Sequence, residues 1–195
     1  MNFSKGYIVP LRDEVEEGYD YKGKTATANV SYEKMKEVIL GFIDSLVEPC
    51  FFILELPATR QQEETLRADD YASFHSNVYY ADGLSKRQLL EIMDSYGEIL
   101  INDGVCEFGF ASHITRDEIF VCKYNIVKIF STNEAMIKGL FDRHNIPRRE
   151  SLKTAWDTFS QTSPGDSKAI KIDGLTCYDL VDKLESFGLY FAEIR

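Results

Sequence analysis

Three histidines (His75, His113 and His144) and four cysteines (Cys50, Cys106, Cys122 and Cys177) are the residues of this 195-residue chain best suited to base, nucleophile or metal chemistry. Their spacing discourages it. No CxxC or HExxH is present, and the histidines lie in separate segments, so no metal site or cofactor is expected. There is no GxxxxGK[ST], no GxGxxG and no GxSxG, so phosphate cradles and nucleophile elbows are absent as motifs. The cysteines sit among apolar neighbours and read as buried thiols. His113, close to Arg116, Asp117 and Glu118, would need a carboxylate partner to serve as a general base. Glu55 interrupts the apolar run CFFILEL. A carboxylate buried there needs a cation such as Arg60, or else a shifted pKa. An enzyme reading therefore assembles a site from distant residues, with Glu55, His75 and His113 as its catalytic candidates.

Charge points to a different class of function. Acids number 32 and bases 22, a net charge of −10. Residues 1–104 hold 19 acids against 10 bases, whereas residues 105–195 hold 13 against 12. A broad basic surface for nucleic acid is excluded by this balance. The longest apolar stretches fall far short of the roughly 20 residues of a membrane helix. Met1–Leu11 lacks the apolar core of a secretory signal, so a cytoplasmic protein with reduced thiols is expected. Aromatic residues accompany the acids: Tyr19 and Tyr21 close the acidic stretch from Asp13, and Glu63, Glu64, Asp69, Asp70, Tyr71 and Phe74 share a second loop. Aromatics supply contact energy and acids steer a basic partner, so these eight residues form the candidate binding surface. Arg143, His144, Arg148, Arg149 and Lys153 are a local basic exception around a helix end.

The elements that must position these residues are read from periodicity. A short strand over Gly6–Leu11 precedes the acidic loop. Met35, Val38, Ile39, Phe42 and Ile43 give one apolar helical face after Ser31. Cys50–Leu56 is a buried strand, 57–75 a long polar connection, and Ser76–Ala81 a strand. Ser85 and Gln88 form a capping box, with Leu84 and Leu89 as its hydrophobic staple, for a helix to about Asn102. Val105–Ala111 and Glu118–Tyr124 form a hairpin, with Cys106 placed opposite Cys122 and Phe108 opposite Phe120. Strand Ile126–Phe130 leads to a second capping box at Ser131–Glu134 and a helix to His144. A helix over Arg149–Ser160, a turn or hinge at 163–167, strand Ala169–Ile172, helix Thr176–Phe187 and strand Leu189–Ile194 complete the chain. Asp82–Gly97 and Asp173–Gly188 echo each other, either as a tandem duplication or because the same helix-start chemistry selects the same residues.

Together these imply a single α+β domain, 1–195, with a mixed or largely antiparallel sheet and helices mainly on one face. A ferredoxin-like β-α-β-β-α subpart is one candidate for Ser76–Glu134. The expected function is a non-enzymatic cytosolic protein that binds a basic protein partner, in the manner of an acidic inhibitor or a bacterial immunity-type antitoxin. The alternatives are the small enzyme described above and a structural subunit of an assembly.

Overall fold

A computed structural model describes residues 1–67 and 74–195. The chain order is β1 (Tyr7–Ile8), β2 (Gly18–Lys22), β3 (Thr25–Asn29), α1 (Tyr32–Ser45), β4 (Cys50–Pro57), α2 (Arg60–Leu66), β5 (Ser76–Leu84) and α3 (Lys86–Asn102). Then follow β6 (Glu107–Ser112), β7 (Glu118–Cys122), β8 (Ile126–Phe130), α4 (Glu134–Arg143), β9 (Asp166–Ser167), α5 (Leu180–Lys183) and β10 (Tyr190–Ile194). Eight strands form one sheet in the order β10-β5-β4-β6-β7-β8-β3-β2, each antiparallel to its neighbours. β1 and β9 pair separately. The fold is thus α+β. Because β4 is antiparallel to both β5 and β6, these two run parallel on either side of it, joined through α3.

Alternation within each strand divides the sheet into two faces. Leu54, Phe52, Phe108, Phe110, Ile119, Val121, Val127, Ile129, Ala26 and Ala28 point to one side and join a single core. That core also contains Met35, Val38, Ile39, Phe42 and Ile43 of α1, Leu89, Ile92 and Met93 of α3, Ile137, Leu140 and Phe141 of α4, and Leu180 of α5. The helices therefore lie on one face. Cys106 and Cys177 are buried in the same core.

Local signals explain the elements that form as expected. Ser85 Oγ accepts from the Gln88 amide at 3.3 Å, and Gln88 Oε1 accepts from the Ser85 amide at 3.0 Å. This closes the start of α3. The 57–75 connection is shorter than its polarity implies: Thr59 and Gln62 make a further capping box and start α2. For α4 the box expected at Ser131–Glu134 does not form: Ser131 Oγ accepts from the Asn133 amide at 3.0 Å, and the cap is Asn133, whose Oδ1 accepts from the Met136 amide at 3.0 Å.

Four expectations are corrected. The β2–β3 hairpin occupies part of what reads as an acidic loop; its core residues Ala26 and Ala28 are too small to stand out as an apolar alternation. No helix forms over Arg149–Ser160. The chain there runs extended beside β2, with the Tyr19 amide donating to Pro147 O at 2.9 Å and the Arg149 amide to Tyr19 O at 2.8 Å, before a short 3₁₀ turn at Ala155–Thr158. Tertiary pairing overrides a helical pattern here. Ala169–Ile172 forms no strand, and Thr176–Phe187 alternates between 3₁₀ and α backbone while still burying Cys177, Leu180 and Leu184. Finally, the β6–β7 hairpin closes through the Ser112 amide and Asp117 O at 3.0 Å. Phe108 therefore pairs with Val121, not Phe120. This one-residue difference sends Glu118, Phe120 and Cys122 to the sheet face away from the helices.

Candidate functional site

The three catalytic candidates lie apart. Glu55, on β4, accepts from Arg195 Nη1 at 3.0 Å, so its cation is Arg195 and not Arg60, which pairs with Glu64. His75 donates its backbone amide to Glu63 Oε1 at 2.6 Å, and its Nδ1 stands 3.2 Å from Oε2. His113 sits at the β6–β7 turn with Nε2 3.1 Å from Asp82, its ring 4.8 Å from that of Phe51. Tyr190 donates its hydroxyl to the same Asp82 at 2.6 Å. His75 and His113 thus each have their own carboxylate, in their own place.

The candidate binding residues are also dispersed. Tyr19 is only 3 % exposed and stacks on Phe141, so it serves the core. Tyr21 is half-buried and donates to Ser131 O at 3.2 Å. Glu63 is buried against His75; burial raises its carboxyl, but the His75 amide and ring outweigh this and hold it below the usual range. Glu64 and Phe74 are exposed, with the Arg67 guanidinium 4.2 Å over the Phe74 ring. Asp69, Asp70 and Tyr71 lie outside the described residues. In the acidic stretch before β2, Glu14, Glu16 and Glu17 pair with Lys153, Arg149 and Lys34. Arg149 and Lys153 of the basic exception thus answer acids of the first half, whereas Arg148 pairs with Glu134.

The unpaired charge is elsewhere. On the sheet face away from the helices, cross-strand register sets Glu55 directly opposite Glu107, and Ala111 opposite Glu118. Like charges facing across strands repel. Two cations share this face: Lys128, opposite Phe120, and Arg195, which bonds Glu55 and Glu193 and whose Nη2 is 3.4 Å from the Tyr80 hydroxyl. Burial raises the Glu55 carboxyl, Arg195 pulls it down, and the neighbouring Glu107, Glu193 and Glu118 push it up further. Burial likewise raises Glu118, with Arg195 opposing. Among the described residues, neither Glu107 nor Glu118 has an ion-pair partner.

Aromatic side chains surround these acids. Phe51, Tyr80, Phe120, Phe130 and Tyr190 share this face by register. Phe120 lies over Gly109: a Cβ added there would stand 2.7 Å from its ring and 2.7 Å from Ile119 O. A shallow cavity of about 200 Å³ is lined by Phe51, Ala111, Ser112, His113, Arg116 and Glu118. A second, of about 300 Å³, lies where Thr154 and Trp156 meet Thr27, Glu107, Cys122, Lys123, Ile126 and Lys128. The segment over this second cavity is held by Asn29 Nδ2, which donates to Lys153 O at 2.7 Å. Sequence reasoning missed Glu107, Glu118 and Phe120 because their grouping depends on register; only Glu55 announced itself, as a charge in an apolar run.

Among the described residues, no group of three or more His, Cys, Asp and Glu is placed to hold a metal ion, and no helix is long and apolar enough to cross a membrane. Comparisons with protein-family models, with curated proteins and with solved structures return no match.

Proposed function

We propose that this chain is a binding protein that engages a basic partner protein through the helix-free face of its sheet. The observation that carries this reading is the cross-strand pair Glu55 and Glu107, with Glu118 farther along β7, set among Phe51, Tyr80, Phe120, Phe130 and Tyr190. A cationic partner relieves the repulsion between Glu55 and Glu107, and the aromatic rings supply the contact area. The net charge of −10 adds long-range steering, felt over about 10 Å at 0.1 M salt. An acidic inhibitor covering a cationic active site, as an immunity-type antitoxin does, has this logic.

The test is affinity capture from lysate of the source cells at 50 and 500 mM salt. The baits are the wild-type chain, a Glu107→Gln/Glu118→Gln variant, and a variant neutralised at Glu63, Glu64, Asp69 and Asp70. A basic protein held by wild type at low salt, released at high salt and lost only with the sheet-face variant is the expected result. Loss with the loop variant instead would move the surface to α2 and its connection. Retention of every captured protein by all three baits would overturn the proposal.

A further inference from the structure

We propose that the cavity beside Trp156 is a small-molecule site for a nucleoside monophosphate. This site shares Glu107 and the open sheet face with the protein-docking reading but takes a different ligand chemistry, and the Lys128→Gln variant, which leaves the docking acids intact, separates the two. The cavity holds about 300 Å³, at the lower end of the range for small-molecule sites. It has a side wall and a base of different origin. Cys122 and Ile126, neighbours across β7 and β8, form the sheet side, and Trp156 of the 3₁₀ turn stands over them. Trp156 is 54 % exposed although its ring is fixed by Tyr124 at 4.7 Å and Phe159 at 5.2 Å. A large ring held rigidly and left open beside a cavity is a stacking platform at low entropic cost.

The polar groups around it select the rest of the ligand. Lys123 and Lys128 line the cavity, and among the described residues neither has an ion-pair partner. Two lysines lining one cavity can supply the cationic groups a phosphate needs. Glu107 accepts from the Lys123 amide at 3.2 Å and is placed as an acceptor for sugar hydroxyls, with Thr27 also lining the cavity. Cys122 is no nucleophile in this setting: burial, then the Glu107 charge, push its thiol up to about 12. A flat base on Trp156, a ribose toward Glu107 and a phosphate on the lysines use every group present.

Trp156 is the chain's single tryptophan, so its fluorescence reports the site directly. Adenosine, guanosine and uridine 5′-monophosphates are titrated against the full chain, with adenosine and inorganic phosphate as separate arms. Saturable quenching by at least one monophosphate is expected, with adenosine and phosphate each binding at least about tenfold more weakly. Lys128→Gln, at an exposed position, is expected to keep the wild-type melting temperature and to weaken the monophosphate about tenfold or more. Glu107→Gln is expected to narrow the gap between ribonucleotide and 2′-deoxyribonucleotide. Absence of saturable quenching by all three monophosphates would overturn the proposal. So would phosphate alone binding as well, or unchanged affinity in the Lys128→Gln variant with its melting temperature intact.

Discussion

Glu118 shows how one side chain can work against the fold that holds it. Its carboxyl is raised above the ordinary range because burial disfavours the charge. Stability from this group is therefore full below the ordinary carboxylate pKa and is lost as pH rises through the folded value. Glu118→Gln removes that loss. Urea unfolding at pH 4 and pH 7.5 is expected to show little difference at the lower pH. At the higher pH the variant should be more stable, by less than about 1 kcal/mol. Asp157 and Asp179 act with the opposite sign. Hydrogen bonds from Thr154 and Thr176 lower their carboxyls, so their contribution is present above the ordinary pKa and lost as pH falls through the lowered one. Of the groups on the open face, only Glu55 was readable as an anomaly, since a charge inside an apolar run is visible without knowing its neighbours. Its partner was not: Arg195 is 140 positions away, and only the pairing of β10 with β5 brings it near.

At the level of elements, what could be read locally was what is determined locally. The start of α3 follows from Ser85 and Gln88 alone, because a capping box closes within four residues. Ser85→Ala is expected to cost about 1 kcal/mol, measured as a lower urea midpoint with an unchanged slope. The helix expected over Arg149–Ser160 failed for the opposite reason: its backbone donors and acceptors are taken by β2 and Asn29, which no local pattern announces. Register in the β6–β7 hairpin is the costliest difference, since one residue decides which side chains face the core. Gly109 follows from that register. Gly109→Ala would press a methyl against Phe120 and the β7 backbone, and a loss of about 1–3 kcal/mol in unfolding free energy is expected. The same change should displace Phe120 and weaken capture of a partner by the open face more than Ser85→Ala does.

On the scale of the whole molecule, the fold class was readable because apolar periodicities of two and of about 3.6 alternate along the chain. The strand order was not, because neighbours such as β3 and β8 are joined only by distant pairing. Charge is also organised at this scale: Lys153 and Arg149, from the near-neutral half, reach back to Glu14 and Glu16 of the acidic half. β10 closes one edge of the sheet with a bulge between Phe191 and Glu193, and charged Glu193 and Arg195 accompany its exposed Phe191 and Tyr190. Bulges and charges are devices that keep an edge strand from pairing with strangers. Removal of residues 189–195 strips this protection from β5, and static light scattering of the purified variant is expected to rise with concentration where wild type stays flat.

That arrangement also sets a timetable for synthesis. β5 leaves the ribosome roughly 100 residues before the strand that will cover its outer edge. At about 5–20 residues per second, Ser76–Leu84 waits about 5–20 s with one row of backbone donors and acceptors bare. A nascent chain of this protein is therefore adhesive along β5 while α3 and the β6–β7 hairpin are already made, and the hazard ends only when Tyr190–Ile194 arrives to close the edge.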